Sequence, residues 1–310
     1  MKLSIVTTLY YSAPYINEFY QRICTVADAI TADYEIVFVN DGSPDNALEV
    51  AIALYEKDTK VCVVDLSRNF GHHKAMMTGL MYAQGERVFL IDVDLEEPPE
   101  LLITFYEKFQ HNNVDVVYGV QATRQGSWFN RMSGSLFYVL FNLLSDYPVS
   151  HNLLTARLMS QRYVQQLIKY KEHLFNIEGL WESTGFKQIP VIVNKQPFKG
   201  TTTYNFTRKL TYTMNAITAF STKPLSGIIY LGLFMVIPST IYVIYLIGGY
   251  FLFNLNITQL TVLIASLWFL AGLIVFILGI IAIYISVILV ETKNRPYTIV
   301  RQFYKHNNYL

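Results

Sequence analysis

The chain has 310 residues and a net charge of +1; 52% of it is hydrophobic, 15% aromatic and only 15% charged. A soluble domain usually carries about 25% charged residues, so the composition argues against a chain that is soluble throughout. The two cysteines, Cys24 and Cys62, lie in apolar surroundings and suggest neither a disulfide framework nor a metal site, as expected for a reducing compartment.

The first element is a β-rich run, Leu3 to Leu9, and Met1-Lys2 leads straight into it, so no signal peptide is expected. Ile16, Phe19, Ile23 and Val26 then recur at helical spacing between Tyr15 and Ala32. Glu35 to Val39 repeats the strand pattern and runs into Asn40-Asp41-Gly42-Ser43-Pro44-Asp45, a turn-rich stretch. Asp41 serves there either as a turn maker or as a nucleotide contact at a strand end. A third strand, Lys60 to Val64, precedes Asp65-Leu-Ser-Arg68-Asn69-Phe70-Gly71, and Gly71 opens a helix with Met76, Met77, Leu80 and Met81 facing the core. His72 and His73 point about 100° apart on a helix, which disfavours a shared ion and favours phosphate or surface contacts.

The next stretch, Arg87 to Pro99, organises the rest. Val88 to Ile91 is apolar, Asp92, Asp94 and Glu96 follow at alternate positions, and Pro98-Pro99 stops the strand. This reads as a buried strand delivering carboxylates to the edge where open α/β sheets bind ligands. Hard oxygen donors of this kind suit Mg²⁺ or Mn²⁺. The alternative is a solvated acidic turn before a helix, with Glu96 and Glu97 favouring its N-terminus. A helix from Glu100 to Gln110 and a strand from Val114 to Tyr118 complete an alternation that implies a largely parallel sheet covered on both faces.

Arg124 and Arg131 flank Ser127-Trp128-Phe129, and an apolar helix reaching about Leu144 follows; it is short for a membrane span and is expected to lie in the interface. From Pro224 to Val290 there is no Asp, Glu, Lys, Arg or His. A crossing needs about 20 apolar residues, so two spans are expected, Leu225 to Phe253 and Leu260 to Val290, turning at Asn254-Leu255-Asn256. Arg208, Lys209 and Lys223 precede the pair and Lys293, Arg295, Arg301 and Lys305 follow it, which puts both termini in the cytoplasm. The domain expectation is a cytosolic catalytic domain over 1–223 with interfacial helices near 127–145 and 206–222, a two-helix membrane domain over 224–290, and a cytoplasmic tail over 291–310.

Asn40-Asp41-Gly42-Ser43-Pro44, Leu66-Ser-Arg68-Asn-Phe-Gly71 and Asp92-Val-Asp94-Leu-Glu96-Glu-Pro-Pro-Glu100 together resemble family 2 glycosyltransferases of the GT-A fold, in particular their polyprenyl-phosphate branch. Arg157-Leu-Met-Ser160, Gly200 to Tyr204, Ala219 to Leu225 and Glu291 to Pro296 extend the resemblance over nearly the whole chain. The resemblance implies a Rossmann-like, mostly parallel α/β sheet and an inverting transfer of one sugar from a nucleotide sugar, UDP-linked by expectation, to polyprenyl phosphate at the cytoplasmic face of the plasma membrane. It assigns Asp92 and Asp94 to catalysis, Thr8, Tyr10, Asp41, Arg68 and Asp92 to the nucleotide, Arg124, Arg131 and Ser135 to the acceptor phosphate, and Asp94 with Glu96 to Mg²⁺ or Mn²⁺. Partners are the donor, the lipid acceptor and the bilayer; no nucleic acid is expected, and a homo-oligomer is compatible.

The chain departs from the branch at four places. Thr8-Leu-Tyr10-Tyr11-Ser12 stands for Pro-x-Tyr-Asn-Glu, Glu96 for a Gln, Thr155 for an acidic residue and Pro197 for an Arg, which bears on base recognition and on the sugar-facing contacts. Three other readings compete: a processive polysaccharide synthase, expected to carry more spans and a Gln-x-x-Arg-Trp motif; a catalytically silent nucleotide-sugar-binding module or scaffold; and a glycosyltransferase with an acceptor other than a lipid phosphate.

Overall fold

A computed structural model of the protein describes residues 2–121, 153–170, 177–193, 259–293 and 295–306. Arg124, Arg131, Ser135, both expected interfacial helices and the first apolar segment lie outside the described residues.

Strands β1 (Leu3–Leu9), β2 (Tyr34–Asn40), β3 (Val61–Leu66) and β4 (Arg87–Leu90) alternate with helices α1 (Ala13–Asp28), α2 (Ala47–Tyr55) and α3 (His72–Tyr82). Helix α4 (Leu101–His111), strands β5 (Val116–Gln121) and β6 (Leu153–Ser160), helices α5 (Gln161–Leu167) and α6 (Ile177–Ser183), strand β7 (Gln188–Val193), helix α7 (Gln259–Thr292) and strand β8 (Val300–Tyr304) follow. The eight strands form one sheet in the order β7-β5-β6-β4-β1-β2-β3-β8.

The inner strands are buried on both faces, as a sheet between two helix layers requires. In β1, Leu3, Ile5 and Leu9 join a core with Phe19 of α1 and Phe105 of α4, while Val6 joins the opposite core with Met76 and Leu80 of α3. Period-2 alternation therefore sorts one strand between two cores. Phe19 meets Phe38 edge-on at 6.3 Å and Phe89 meets Phe105 at 6.1 Å, pairs that contribute about 0.5–1.5 kcal/mol each beyond the area they bury. Met76 and Met77 are buried as expected, but Met81 is 38% exposed because it falls on the outer side of α3.

The expected largely parallel sheet holds for the block β3-β2-β1-β4. Beyond it the order changes: β6 inserts antiparallel between β4 and β5, β7 runs parallel to β5, and β8 runs antiparallel to β3. Consecutive strands β4 and β5 are thus not neighbours, a fact that local periodicity does not encode. Strand β8 falls within the segment 291–310, for which the sequence showed no strand; it closes the far edge of the catalytic sheet.

Helix α7 has 34 residues, about 51 Å at 1.5 Å per residue. Its described side chains Leu263, Leu267, Leu270, Ile274, Leu278, Ile281 and Ile285 are exposed at spacings of three and four, one face of a helix. Among the described residues, which cover only part of the side chains of this helix, no helix is long and apolar enough to cross a membrane. The bilayer crossing therefore rests on the sequence and is taken up below as a proposal.

Candidate active site

The C-terminal ends of β1, β2, β3 and β4 lie side by side because those strands are parallel neighbours, and each end carries a residue that the sequence singled out. At β2, Asp41 is 2% exposed and accepts hydrogen bonds from the backbone N–H of Phe70 at 2.7 Å and of Gly71 at 3.0 Å. Burial pushes its carboxyl above the ordinary value, and the two N–H donors counter that in part. Asp41 is thus the anchor of the loop after β3. A carboxylate offers about four lone-pair sites, so this anchoring leaves capacity for a ligand.

Gly42 makes the approach of the two loops feasible. It has φ +60°, and a Cβ there would sit 2.5 Å from the backbone carbon of Arg68 and the nitrogen of Asn69. Arg68 is exposed, its guanidinium stacked 4.1 Å from the centre of the Phe70 ring and donating to the Asn69 carbonyl at 3.0 Å.

At β4 the strand ends at Leu90, so Asp92 stands just past it on the following loop. His72, the first residue of α3, connects the strand ends. Its Nε2 is 3.2 Å from Asp92 Oδ1 and its Nδ1 is 3.0 Å from the Thr8 hydroxyl. Desolvation lowers the pKa of His72, but Asp92, with Asp41 and Asp94 behind it, outweighs this and raises it. Burial drives the adjacent His73 the other way, down to about 4. Sequence reasoning gave His72 only a general phosphate or surface role; its pairing with Asp92 and Thr8 depends on residues far apart in the chain.

Asp94 accepts from the Glu96 backbone N–H at 3.0 Å, and Leu95 between them has φ +62°, an uncommon conformation for a leucine. Such backbone strain persists where the surroundings hold it, and it clusters at ligand sites. Asp92, Asp94 and Glu96 are all partly exposed. Among the described residues, no three His, Cys, Asp or Glu side chains converge on one point that could hold a metal. Glu97 has a different part: 2% exposed, it accepts the backbone N–H groups of Thr155 at 3.2 Å and Ala156 at 2.7 Å, and so fixes β6 against the acidic loop. The sequence placed Glu97 only near a helix terminus, since Thr155 lies 58 positions away.

Thr8 is 7% exposed at the end of β1, whereas Tyr10 is 48% and Tyr11 63% exposed, meeting edge-on at 4.9 Å. Tyr11 has φ +53°, and its N–H donates to Ser43 Oγ at 2.8 Å. Asp45 accepts from Ala13 N at 3.0 Å and so starts α1 two residues before the apolar pattern does. The arrangement is a rim of carboxylates, one imidazole, one arginine and two exposed aromatic rings at the end of a parallel sheet block, and it offers both planar stacking and charge neutralisation.

The sequence profile of glycosyl transferase family 2 matches residues 4–173. The chain belongs to this family. It is a glycosyltransferase, and its mixed α/β sheet is of the Rossmann-like GT-A kind. Over 310 residues it is 34% identical to glycosyltransferase YkcC of Bacillus subtilis, covering 99% of this chain and 96% of that one. Over 309 residues it is 30% identical to the SfII prophage-derived bactoprenol glucosyl transferase of Shigella flexneri, covering 99% of this chain and all of that one. Among solved structures, the Pyrobaculum calidifontis mannosyltransferase PcManGT, in complex with GDP-Man and Mn²⁺, has a TM-score of 0.49 at 17% identity over 70% of this chain and 63% of that one, too loose a likeness to bear on the site.

Proposed function

We propose that this family 2 glycosyltransferase moves a single sugar, with inversion, from a nucleotide sugar to polyprenyl phosphate at the cytoplasmic face of the plasma membrane. The observation that carries the reading is the contact of His72 with Asp92 and Thr8 at the C-terminal sheet edge, beside the loop that Asp41 anchors, where α/β sheets bind ligands. Full-length similarity to a bactoprenol glucosyl transferase supports the lipid acceptor. Helix α7 supports a membrane span, since its 34 residues exceed the roughly 20 a crossing needs and its sequence is free of charge up to Val290.

Tyr10 and Tyr11 offer exposed rings to a nucleobase. Arg68, on the loop after β3, would meet the diphosphate, and Asp92, paired with His72, would contact the donor. Asp94 and Glu96 are paired oxygen donors on one short loop, a set that fits Mg²⁺ or Mn²⁺, whose other positions substrate phosphates and water ordinarily fill. Such a cation neutralises charge on the departing nucleoside diphosphate. The acceptor phosphate already carries about −1.5 to −2 charge at pH 7, so it requires positioning rather than deprotonation. Arg124 and Arg131, with Ser135, would grip it, because the guanidinium fork pairs with phosphate oxygens.

Membranes containing the protein should transfer radiolabelled sugar from a nucleotide sugar into organic-extractable lipid, and Asp94→Asn should abolish this while leaving the fold intact. Full activity of that variant, or wild-type activity indifferent to excess chelator, would remove Asp94 from the metal role. In the same assay at limiting polyprenyl phosphate, Arg131→Ala should cut transfer sharply and leave nucleotide-sugar KM nearly unchanged. The reverse split would move Arg131 out of the acceptor site.

A further inference from the structure

Downstream of α7 the chain returns to the catalytic sheet. Thr298 Oγ1 is 2.8 Å from Thr78 Oγ1, the Ile299 carbonyl accepts the Ser67 N–H at 2.9 Å, and β8 then pairs with β3 from Leu66↔Val300 to Val63↔Tyr304. Past the strand, His306 stacks on Tyr55 at 4.1 Å and its Nε2 lies 2.7 Å from the Tyr55 carbonyl. Within this segment Arg301 makes two contacts on one point of the site. Its Nη2 donates to the Ser67 carbonyl at 2.8 Å, and its Nη1 is 3.4 Å from Asp65 Oδ2. Asp65 is 3% exposed at its side chain, and its other oxygen accepts from Asn40 Nδ2 at 2.8 Å; Asn40 Oδ1 in turn accepts the Ser43 N–H at 3.1 Å.

Both backbone polar groups of Ser67 are therefore held by the C-terminal segment, directly before Arg68. The Asp65–Asn40 link carries the same restraint to the residue directly before Asp41. We infer that Arg301 is a positioning residue for the nucleotide: it fixes the Ser67–Gly71 loop and the Asn40–Ser43 turn relative to one another, so that the tail beyond the last helix forms part of the donor site. The planar fork of Arg301 reaches the Asp65 carboxylate and the Ser67 carbonyl together, which an ammonium cannot do in the same geometry. The tail also ties the cytoplasmic end of α7 to the loop bearing Arg68. This inference rests on the nucleotide-sugar reading of the site.

The test uses the full-length protein in detergent micelles, with UDP and GDP titrated in the presence of Mn²⁺ and thermal unfolding followed in parallel. Arg301→Ala should weaken binding of the preferred nucleotide about tenfold, with polyprenyl-phosphate KM unchanged and the unfolding midpoint within about 2 °C of wild type. Arg301→Lys should recover part of the loss, and Gln302→Ala, on the same strand with an exposed side chain, should bind as wild type. Should Arg301→Ala fail to fold, Arg301→Lys carries the test with an expected loss of about threefold. Wild-type affinity in the arginine variants, or a loss matched by Gln302→Ala, overturns the positioning role. A wild-type protein that binds neither nucleotide overturns the nucleotide reading itself, and the inference with it.

Discussion

Asp115 shows at the level of one residue how the mixed half of the sheet is stabilised. It is 5% exposed and accepts from Ser160 Oγ at 2.8 Å and from Arg162 Nη2 at 2.8 Å, which ties the start of β5 to the junction of β6 and α5. Desolvation alone raises its carboxyl pKa, but the hydrogen bonds from Arg162 and Ser160 outweigh this and hold it below the ordinary value. With the folded pKa depressed, the contribution to stability is complete above the unfolded value of about 3.9 and is lost as pH falls through the lower folded value. Thermal unfolding in micelles between pH 6 and pH 3 should thus show an acid-side loss that is shallower in Asp115→Asn. Parallel slopes for the two proteins would mean that Asp115 does not titrate differently on folding. Nothing in the local pattern around Asp115 points to this group, because Ser160 and Arg162 are 45 and 47 positions away.

Among the elements, the site depends on how closely the turn after β2 approaches the loop after β3. Gly42 has φ +60° and no room for a Cβ beside Arg68 and Asn69. Gly42→Ala should push that loop away, loosen the hydrogen bonds from Phe70 and Gly71 to Asp41, and weaken nucleotide binding by about tenfold or more. A nucleotide titration that gives the wild-type affinity would show that the loops accommodate the methyl group and that their spacing is not critical. The turn itself was legible, since Asn-Asp-Gly-Ser-Pro is dense in turn formers. The requirement for glycine at that position arises from the neighbouring loop, and local sequence contains no trace of it.

For the whole molecule, the proposed membrane reading predicts from the distribution of Lys and Arg that both ends of the apolar segment 224–290 face the cytoplasm together with the catalytic domain. Single-cysteine labelling should find Asn256→Cys reactive from outside intact cells and Asn307→Cys reactive only after permeabilisation. The inverse pattern would place the site away from cytosolic nucleotide sugars and end the functional proposal. Much of the fold follows from local pattern: the strand from Leu3 to Leu9, the first three strand-helix alternations and the core positions of α1 and, Met81 apart, of α3 come from hydrophobic period, because burying a strand or a helix face demands that period wherever the element sits. The acidic strand end and the loops carrying Asp41 and Arg68 were equally visible, since chemistry-bearing residues gather where apolar runs stop. Strand order was decided only in three dimensions. Neither the insertion of β6 beside β4 nor the docking of β8 on β3 leaves a periodic signal, for hydrogen bonding between backbones is nearly blind to sequence. The partners of His72, Glu97 and Arg301 were likewise settled by tertiary structure, which brings a charge to its counterpart across dozens or hundreds of residues once the sheet has fixed which strand ends are neighbours.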